Sequence, residues 1–259
     1  MARQMVITTL SPHIHNRPNK RPIQLKTKRI LKMNPPTKKF VIGDIHGRIE
    51  ALKQVLTKST FNYETDKLII LGDVCDGGKN TKEVVNELLK IKNKVFVRGN
   101  HDQWLLDFIN KDEMPSIWTS QGGWATINSY GLLYGVKVPK KHQKFFNDSI
   151  LYHEEDNMLF VHGGFRAYNG TKPKDEEPQV LMWNRDLINW CEDGNKIPDY
   201  TKVFIGHTTT QVKDMLEPTK FQNLIMMDCG GGWNGKLALM NINTEEYWLS
   251  DIQIPNEEE

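Results

Sequence analysis

The sequence predicts an α/β fold: two packed mixed β-sheets flanked by helices, with a helical cap over one end. Three observations predict it. Five apolar runs of three or four residues, too short and too β-branched for helices, each lead into a polar turn carrying a metal-capable side chain. The first three runs alternate with stretches of helical periodicity, the βαβ rhythm of parallel strands joined by right-handed crossovers. Between residues 112 and 157 that rhythm stops and helical patterns take over.

The first run, residues 40–42, passes through Gly43 to Asp44 and His46. Residues i and i+2 of an extended chain point the same way, so these two side chains face one point. Ile49, Leu52, Val55 and Leu56 then set a helix over 48–58. Residues 68–71 lead to Gly72 and Asp73, and a second helix over 81–92 follows on Val84, Val85, Leu88, Leu89 and Ile91. Residues 95–97 lead to Arg98, Gly99, Asn100, His101 and Asp102, before a short helix over 103–110. In the cap, 121–130 and 140–149 read as helices interrupted by Gly122, Gly123 and Trp124, and no strand is evident. Residues 158–161 then lead to His162, and 203–205 to Gly206 and His207. Runs at 224–228, 237–242 and 247–249 read as antiparallel strands closing the second sheet. In open α/β sheets the carboxyl ends of strands form the binding crevice, so the five tips are expected to converge.

The chain has 259 residues, 38% hydrophobic and 25% charged, enough for one domain with a sizeable core. Its net charge of +2 hides an asymmetry: residues 1–39 hold ten Lys or Arg and no acid, leaving 24 basic against 32 acidic residues beyond. Residues 1–37, broken by Pro18, Pro22, Pro35 and Pro36, read as a flexible basic extension, solvated or offered to nucleic acid or another acidic surface. Residues 38–250 form the catalytic domain, with 112–157 as its cap insertion, and 251–259 an acidic tail. No run approaches the roughly 18 apolar residues of a membrane span, and the first residues lack a signal-peptide core. The expected location is therefore the cytoplasm. Cys75, Cys191 and Cys229 lack CxxC spacing, which excludes a disulfide framework or zinc knuckle as the organising device.

Two carboxylates, an amide and three imidazoles stand at the strand tips: Asp44, His46, Asp73, Asn100, His162 and His207. That inventory exceeds the needs of one ion, and mixed N/O donors suit Mn²⁺, Fe or Zn²⁺ better than Ca²⁺. Two divalent ions about 3.5–4 Å apart would share Asp73 and a bridging water, which becomes hydroxide near neutral pH. Singly, each of these residues has an ordinary explanation, and His13, His15, His142 and His153 keep it. Cys75 reads as a small filler, and the tryptophans chiefly as packing.

The segments GDIHG (43–47), GDVCDGG (72–78), GNHD (99–102), HGG (162–164) and GHT (206–208) together resemble the calcineurin-like metallophosphoesterases. Within them the sequence is most similar to the phosphoprotein-phosphatase branch, in its bacterial and bacteriophage lambda-type Ser/Thr enzymes. QGGW (121–124) and MWNR (182–185) resemble the same group, and the likeness spans residues 38–249. The resemblance implies that Asp44, His46 and Asp73 bind one metal, with Asn100, His162 and His207 completing the second. It makes His101 the general acid and Asp76 its orienting partner, consistent with an alkoxide leaving group's need for a proton.

One position departs from the pattern: Gly77 stands where the family carries an arginine that clamps substrate phosphate. Arg185, in the MWNR segment, is the first substitute, followed by Arg98 and Arg166, because guanidinium groups bind phosphate in a bidentate manner. The implied activity is hydrolysis of phosphomonoesters as a Ser/Thr protein phosphatase, of dual specificity where phosphotyrosine is also accepted, as in some of the group, with a phosphorylated protein or small phosphomonoester as substrate. Symmetrical hydrolysis of diadenosine tetraphosphate is the second reading. A nucleic-acid-binding protein or RNA-end phosphatase using the basic arm is the third.

Overall fold

A computed structural model describes residues 37–253. The basic extension and most of the acidic tail lie outside the described residues, and with them the expectation of a nucleic-acid contact through the arm. Ten strands form two five-stranded mixed sheets. The first contains β1 (Lys39–Ile42), β2 (Lys67–Ile70), β3 (Asn93–Phe96), β9 (Ala238–Asn241) and β10 (Tyr247–Leu249), in the order β10-β9-β1-β2-β3. The second contains β4 (Tyr152–Glu155), β5 (Met158–Val161), β6 (Lys202–Ile205), β7 (Thr219–Phe221) and β8 (Leu224–Met226), in the order β4-β5-β6-β8-β7. β1, β2 and β3 are parallel, as are β5, β6 and β8; β9 runs antiparallel to both β1 and β10, and β4 and β7 are the antiparallel edges of the second sheet.

The central strands read as unbroken apolar runs because both faces are buried. Val41, Ile69, Phe160, Phe204 and Ile225 meet in the core that includes both sheets, where the Phe160 and Phe204 rings stack at 5.0 Å. The alternate residues Phe40, Ile42, Leu68 and Ile70 turn outward into a helical layer, and Leu159, Val161, Val203 and Ile205 into another. On the first sheet this layer contains α1 (Ile49–Lys58), α2 (Thr81–Leu88) and α3 (Asn100–Lys111). On the second it is α7 (Pro178–Trp183) and α8 (Asp186–Glu192).

The segment between α3 and β5 differs from expectation in two places. The helix read from residue 121 starts only after the interruption at its glycines: Thr119–Gly123 forms a wide turn with Gly122 at φ 89°. It follows the single turn α4 (Ser116–Trp118), and α5 (Trp124–Tyr130) begins only beyond it. Ile127 and Tyr130 of α5, with Phe145 and Phe146 of α6 (Lys140–Asn147), pack in the same core as β1 and β2. Then β4 appears where no strand was evident. Its sequence YHEE carries no apolar run because it is an edge strand, paired on one side to β5. The terminal strands also divide differently. β8 joins the second sheet, whereas β9 pairs with β1 and carries β10 into the first. Alternating apolarity marks a strand but not its partner, which here lies about two hundred residues earlier in the chain.

Candidate metal centre

Each parallel strand delivers its tip residues to one end of the two sheets. Asp44 and His46 follow β1, Asp73 follows β2, Asn100 and His101 open α3 after β3, His162 follows β5, and His207 follows β6. All except His207 are buried, His207 being intermediate. Four of the chemistry-bearing residues, His46, Asp73, Asp76 and His207, hold left-handed backbone, with φ between 45° and 69°. Non-glycine residues adopt that region at a cost of about 1–3 kcal/mol, which the surrounding packing must offset. The strain concentrates where the side chains must be aimed. The tips also approach too closely for ordinary residues: a Cβ on Gly99 would stand 2.0 Å from Asp73 Oδ1.

Two overlapping sets of donor atoms result, each within 4.8 Å: His46, Asp73 and His101, and Asp73, His162 and His207. Asp73 belongs to both. Its Oδ2 lies 3.3 Å from His162 Nε2 and 3.8 Å from His46 Nε2, and its Oδ1 accepts the His101 backbone N–H at 3.0 Å. His46 Nδ1 donates to the Cys75 carbonyl at 3.0 Å and His162 Nδ1 to the Leu71 carbonyl at 2.7 Å. A carbonyl only accepts, so both rings carry a proton on Nδ1 and turn Nε2 inward toward Asp73, the orientation typical of metal-ligating histidines. Asn100 Oδ1 stands 3.0 Å from His162 Nε2. Asp44 falls in neither three-membered set; its Oδ2 accepts the His207 N–H at 3.0 Å. Asp44 Oδ1 and His207 Nε2 are buried with no hydrogen-bond partner, a cost that a bound cation would remove. These donors fit divalent ions.

For His46 and His207 the electrostatics agree; at His162 burial opposes the charge, but Asp73 outweighs it and raises the pKa to about 10, so that ring holds an extra proton that a cation would displace. Burial, reinforced by Asp228 and Asp73, pushes the Asp44 carboxyl well above the usual range. Burial and His101 hold His46 down to about 4, and burial and His162 hold His207 down to about 3, so both stay neutral donors. Burial opposes the charged form of Asp73, yet the facing imidazoles prevail and hold its carboxyl below the usual range.

Beside the donors stands a pair with a different character. His101 Nδ1 donates to Asp76 Oδ2 at 2.8 Å. Asp76 is fully buried and accepts two further bonds, from Trp118 Nε1 at 2.9 Å and Thr126 Oγ1 at 2.7 Å. Burial works against the imidazolium, but Asp73 and Asp76 outweigh it and raise the His101 pKa. A second buried carboxylate, Asp102, ties the loops together. It accepts N–H bonds from Asp73 at 2.7 Å, Val74 at 2.9 Å and Gly99 at 2.9 Å. Sequence reasoning gave no role to Asp102 or Thr126 and read Trp118 only as packing.

It also missed Asp228, two residues beyond β8, which lines the cleft and whose carboxyl burial lifts to about 6. The apolar run ending in an acid was the available signal. Cys75 is buried and its thiol is pushed up, first by burial, which leaves it a filler. His142 keeps its ordinary reading: it bridges Tyr130 and Asn86 in the helical layer.

The centre opens into a cleft of about 390 Å³ lined by Gln121, Trp183, Arg185, Thr208, Thr209, Val212, Asp228 and Trp233 besides the donors. The three arginines expected to bind phosphate separate here. Arg185 is exposed and lines the cleft. Arg98 does not; its guanidinium donates to the Ser149 hydroxyl and carbonyl and to Gln103. Arg166 is engaged by Glu176, its Nε and Nη2 both donating to Oε2, at 3.0 and 2.6 Å. Strand-tip proximity suggested both, but loop contacts had already engaged their guanidinium groups.

Two mixed sheets whose strand tips gather carboxylates and imidazoles around one shared aspartate, with an imidazole–carboxylate pair alongside, define a class: metal-dependent hydrolases of phosphate esters. The chain belongs to the calcineurin-like phosphoesterase family, whose model matches residues 38–231. It is 34% identical to serine/threonine-protein phosphatase 1 of Salmonella typhimurium, over 78% of this chain and 91% of that one. It is 24% identical to the symmetrical bis(5'-nucleosyl)-tetraphosphatase of Buchnera aphidicola, over 84% of this chain and 98% of that one. A crystal structure of a candidate diadenosine tetraphosphatase superposes with a TM-score of 0.60 at 17% identity, covering 85% of this chain and 95% of that one. That likeness speaks to the fold, and the two-sheet architecture read from the sequence agrees with it. Among the described residues no helix is long and apolar enough to cross a membrane.

Proposed function

We propose that this chain is a divalent-metal phosphomonoesterase acting on phosphorylated protein side chains, with His101 as general acid. The observation that carries this reading is the His101–Asp76 pair. With Nδ1 committed to Asp76, Nε2 is the ring atom left to face a substrate, and the neighbouring carboxylates favour the protonated ring.

Asp44, His46 and Asp73 would hold one ion, and Asn100, His162 and His207 the second, with Asp73 common to both. Mn²⁺ is the first metal to test; Fe and Zn²⁺ suit the same donors. Bound ions supply Lewis acidity toward the phosphoryl oxygens and acidify water. The chain's own part is to aim the ester. Arg185 draws the phosphate into the cleft, and His101 Nε2 passes its proton to the departing oxygen. Water adds to phosphorus as the ester P–O bond breaks, giving an alcohol and inorganic phosphate. Asp76, fixed by Trp118 and Thr126, keeps the ring charged and in line.

Hydrolysis of a dinucleoside tetraphosphate is the second reading, favoured by the likeness to the Buchnera aphidicola enzyme. Against it, Arg185 is the only Lys or Arg lining the cleft among the described residues, and a polyphosphate chain calls for several cations. The test is steady-state kinetics on a phosphoserine peptide, p-nitrophenyl phosphate, bis-p-nitrophenyl phosphate and diadenosine tetraphosphate, with Mn²⁺ and with chelator. Metal-dependent turnover of the peptide is expected, and His101→Asn should lower its kcat about 10²- to 10⁴-fold. The loss should be smaller on p-nitrophenyl phosphate, whose leaving group needs less help from an acid. A kcat/KM greatest on the dinucleotide would move the reading to the second class.

A further inference from the structure

The replacement of the phosphate-clamping arginine by Gly77 has a structural counterpart. Gly77 holds φ 74° and donates its N–H to the Gly122 carbonyl at 3.2 Å. The two glycines are in contact: a Cβ on Gly122 would lie 2.6 Å from Gly77 N, and one on Gly77 would lie 3.1 Å from the Gly232 carbonyl oxygen. A side chain at 77 would therefore be strained both by its backbone and by its neighbour. The next residue along that neighbour's loop is Trp233. Its Cη2 would stand 3.6 Å from a Gly122 Cβ, and its ring centroid is 6.1 Å from that of His46.

Trp233 lines the cleft and is 47% exposed, although its loop is well fastened. Trp233 N–H and Gly235 N–H both donate to the Gly230 carbonyl, and Arg48 Nη2 donates to the Gly232 carbonyl at 3.0 Å. A large indole is thus held open to solvent on a tied turn, beside the metal donors. It stands on the acid's side of the centre, because His46 packs edge-on against His101 at 4.9 Å. Trp104 flanks His101 from another direction at 4.9 Å, and Trp183 packs against Trp104 at 5.6 Å. Two indoles, Trp233 beside His46 and Trp183 beside His207, line the cleft, whereas Arg185 is the one guanidinium there among the described residues.

We propose that Trp233, seated across the Gly77–Gly122 contact, selects substrate by stacking on an aromatic ring carried directly by the leaving oxygen, so that aryl phosphates such as phosphotyrosine are preferred. This rests on the phosphomonoesterase reading and refines its substrate class. A ring bonded to the ester oxygen lies next to the acid, and Trp233 stands one imidazole, His46, away from it. A nucleobase lies several bonds farther from the phosphorus under attack.

The test separates binding from turnover. Phenylphosphonate and methylphosphonate, which are not hydrolysed, are titrated calorimetrically into the full chain with Mn²⁺, alongside Trp233→Ala and Trp233→Phe. In parallel, kcat/KM is measured on matched phosphotyrosine and phosphoserine peptides. An offset-stacked ring pair contributes enough to make the aryl preference fall about three- to tenfold in Trp233→Ala, in both binding and kcat/KM, and to survive largely in Trp233→Phe. Taking the variant's change in the ratio cancels the intrinsic reactivity of the two esters. An aryl preference unaltered by Trp233→Ala, or absent from the parent, overturns the proposal. So does a Trp233→Ala defect confined to diadenosine tetraphosphate, which would make the recognised ring a nucleobase. Indole-dependent phosphonate binding without peptide turnover would support the stacking site and refute the phosphatase reading.

Discussion

At the scale of single residues, the acid pair is an assembly of four side chains. Trp118 is fully buried, but its Nε1 reaches both Asp76 oxygens, at 3.1 and 2.9 Å. Hydrogen bonds to charged groups are worth about 1.5–3 kcal/mol, so removing this donor weakens the anion on which the His101 charge depends. Trp118→Phe keeps a ring in the core and deletes the N–H. The expected result is a kcat about tenfold lower on a phosphoserine peptide, with KM little changed and a smaller loss on p-nitrophenyl phosphate. An equal loss on both substrates would show that the variant has disturbed the metal donors instead of the acid. The pair itself was legible from the GNHD and GDVCDGG segments. Its supports were not, because Trp118 and Thr126 lie 42 and 50 residues from Asp76 and look like ordinary core.

At the scale of elements, the strand that sequence patterning missed carries a link between the sheets. β1 and β2 run parallel with Lys39 directly opposite Lys67, two like charges side by side at the starts of two central strands. Glu155 of β4, in the other sheet, pairs with both lysines, with Lys39 at 2.6 Å. The polar sequence that hid β4 is the sequence that makes this bridge. Burial would raise the Glu155 carboxyl, but Lys39 and Lys67 hold it down to about 2. A folded-state pKa below the unfolded value means stability that is present above about pH 4.5 and lost as pH falls toward 2. Glu155→Gln should therefore cost about 1 kcal/mol at pH 7, in urea unfolding, and progressively less below pH 4.5. A stability difference that stays constant from pH 7 to pH 3 would remove the charge from the explanation. Of the strands read from apolar runs, β1, β2, β5 and β6 are buried on both faces; the edge strand β3 shows itself only through its apolar end at Val95 and Phe96, and β4, with no apolar run, leaves no such trace.

At the scale of the whole molecule, the centre joins the two sheets. Asp44, His46, Asp73 and Asn100 come from the first, and His162, His207 and Asp228 from the second. Local pattern could foretell that strand tips converge, since each tip carries its own donors. It could not assign β9 to the first sheet, because that pairing depends on which edge of β1 remains open after β2 has docked. The convergence has a thermodynamic consequence. Three buried carboxylates, Asp44, Asp73 and Asp228, face one another, and burial with mutual repulsion raises Asp44 and Asp228. Divalent ions would reverse that cost, and because their donors span both sheets they would bind the native chain and not the unfolded one. Free metal at about 100 times Kd adds about 2.7 kcal/mol, which for a domain of this size raises Tm by roughly 5–10 °C. Chelation should lower Tm by that amount, Mn²⁺ should restore it, and His207→Ala should shrink the difference by removing a donor from the second sheet. A Tm indifferent to both chelator and Mn²⁺ would mean that packing alone joins the sheets and that the donors hold no ion.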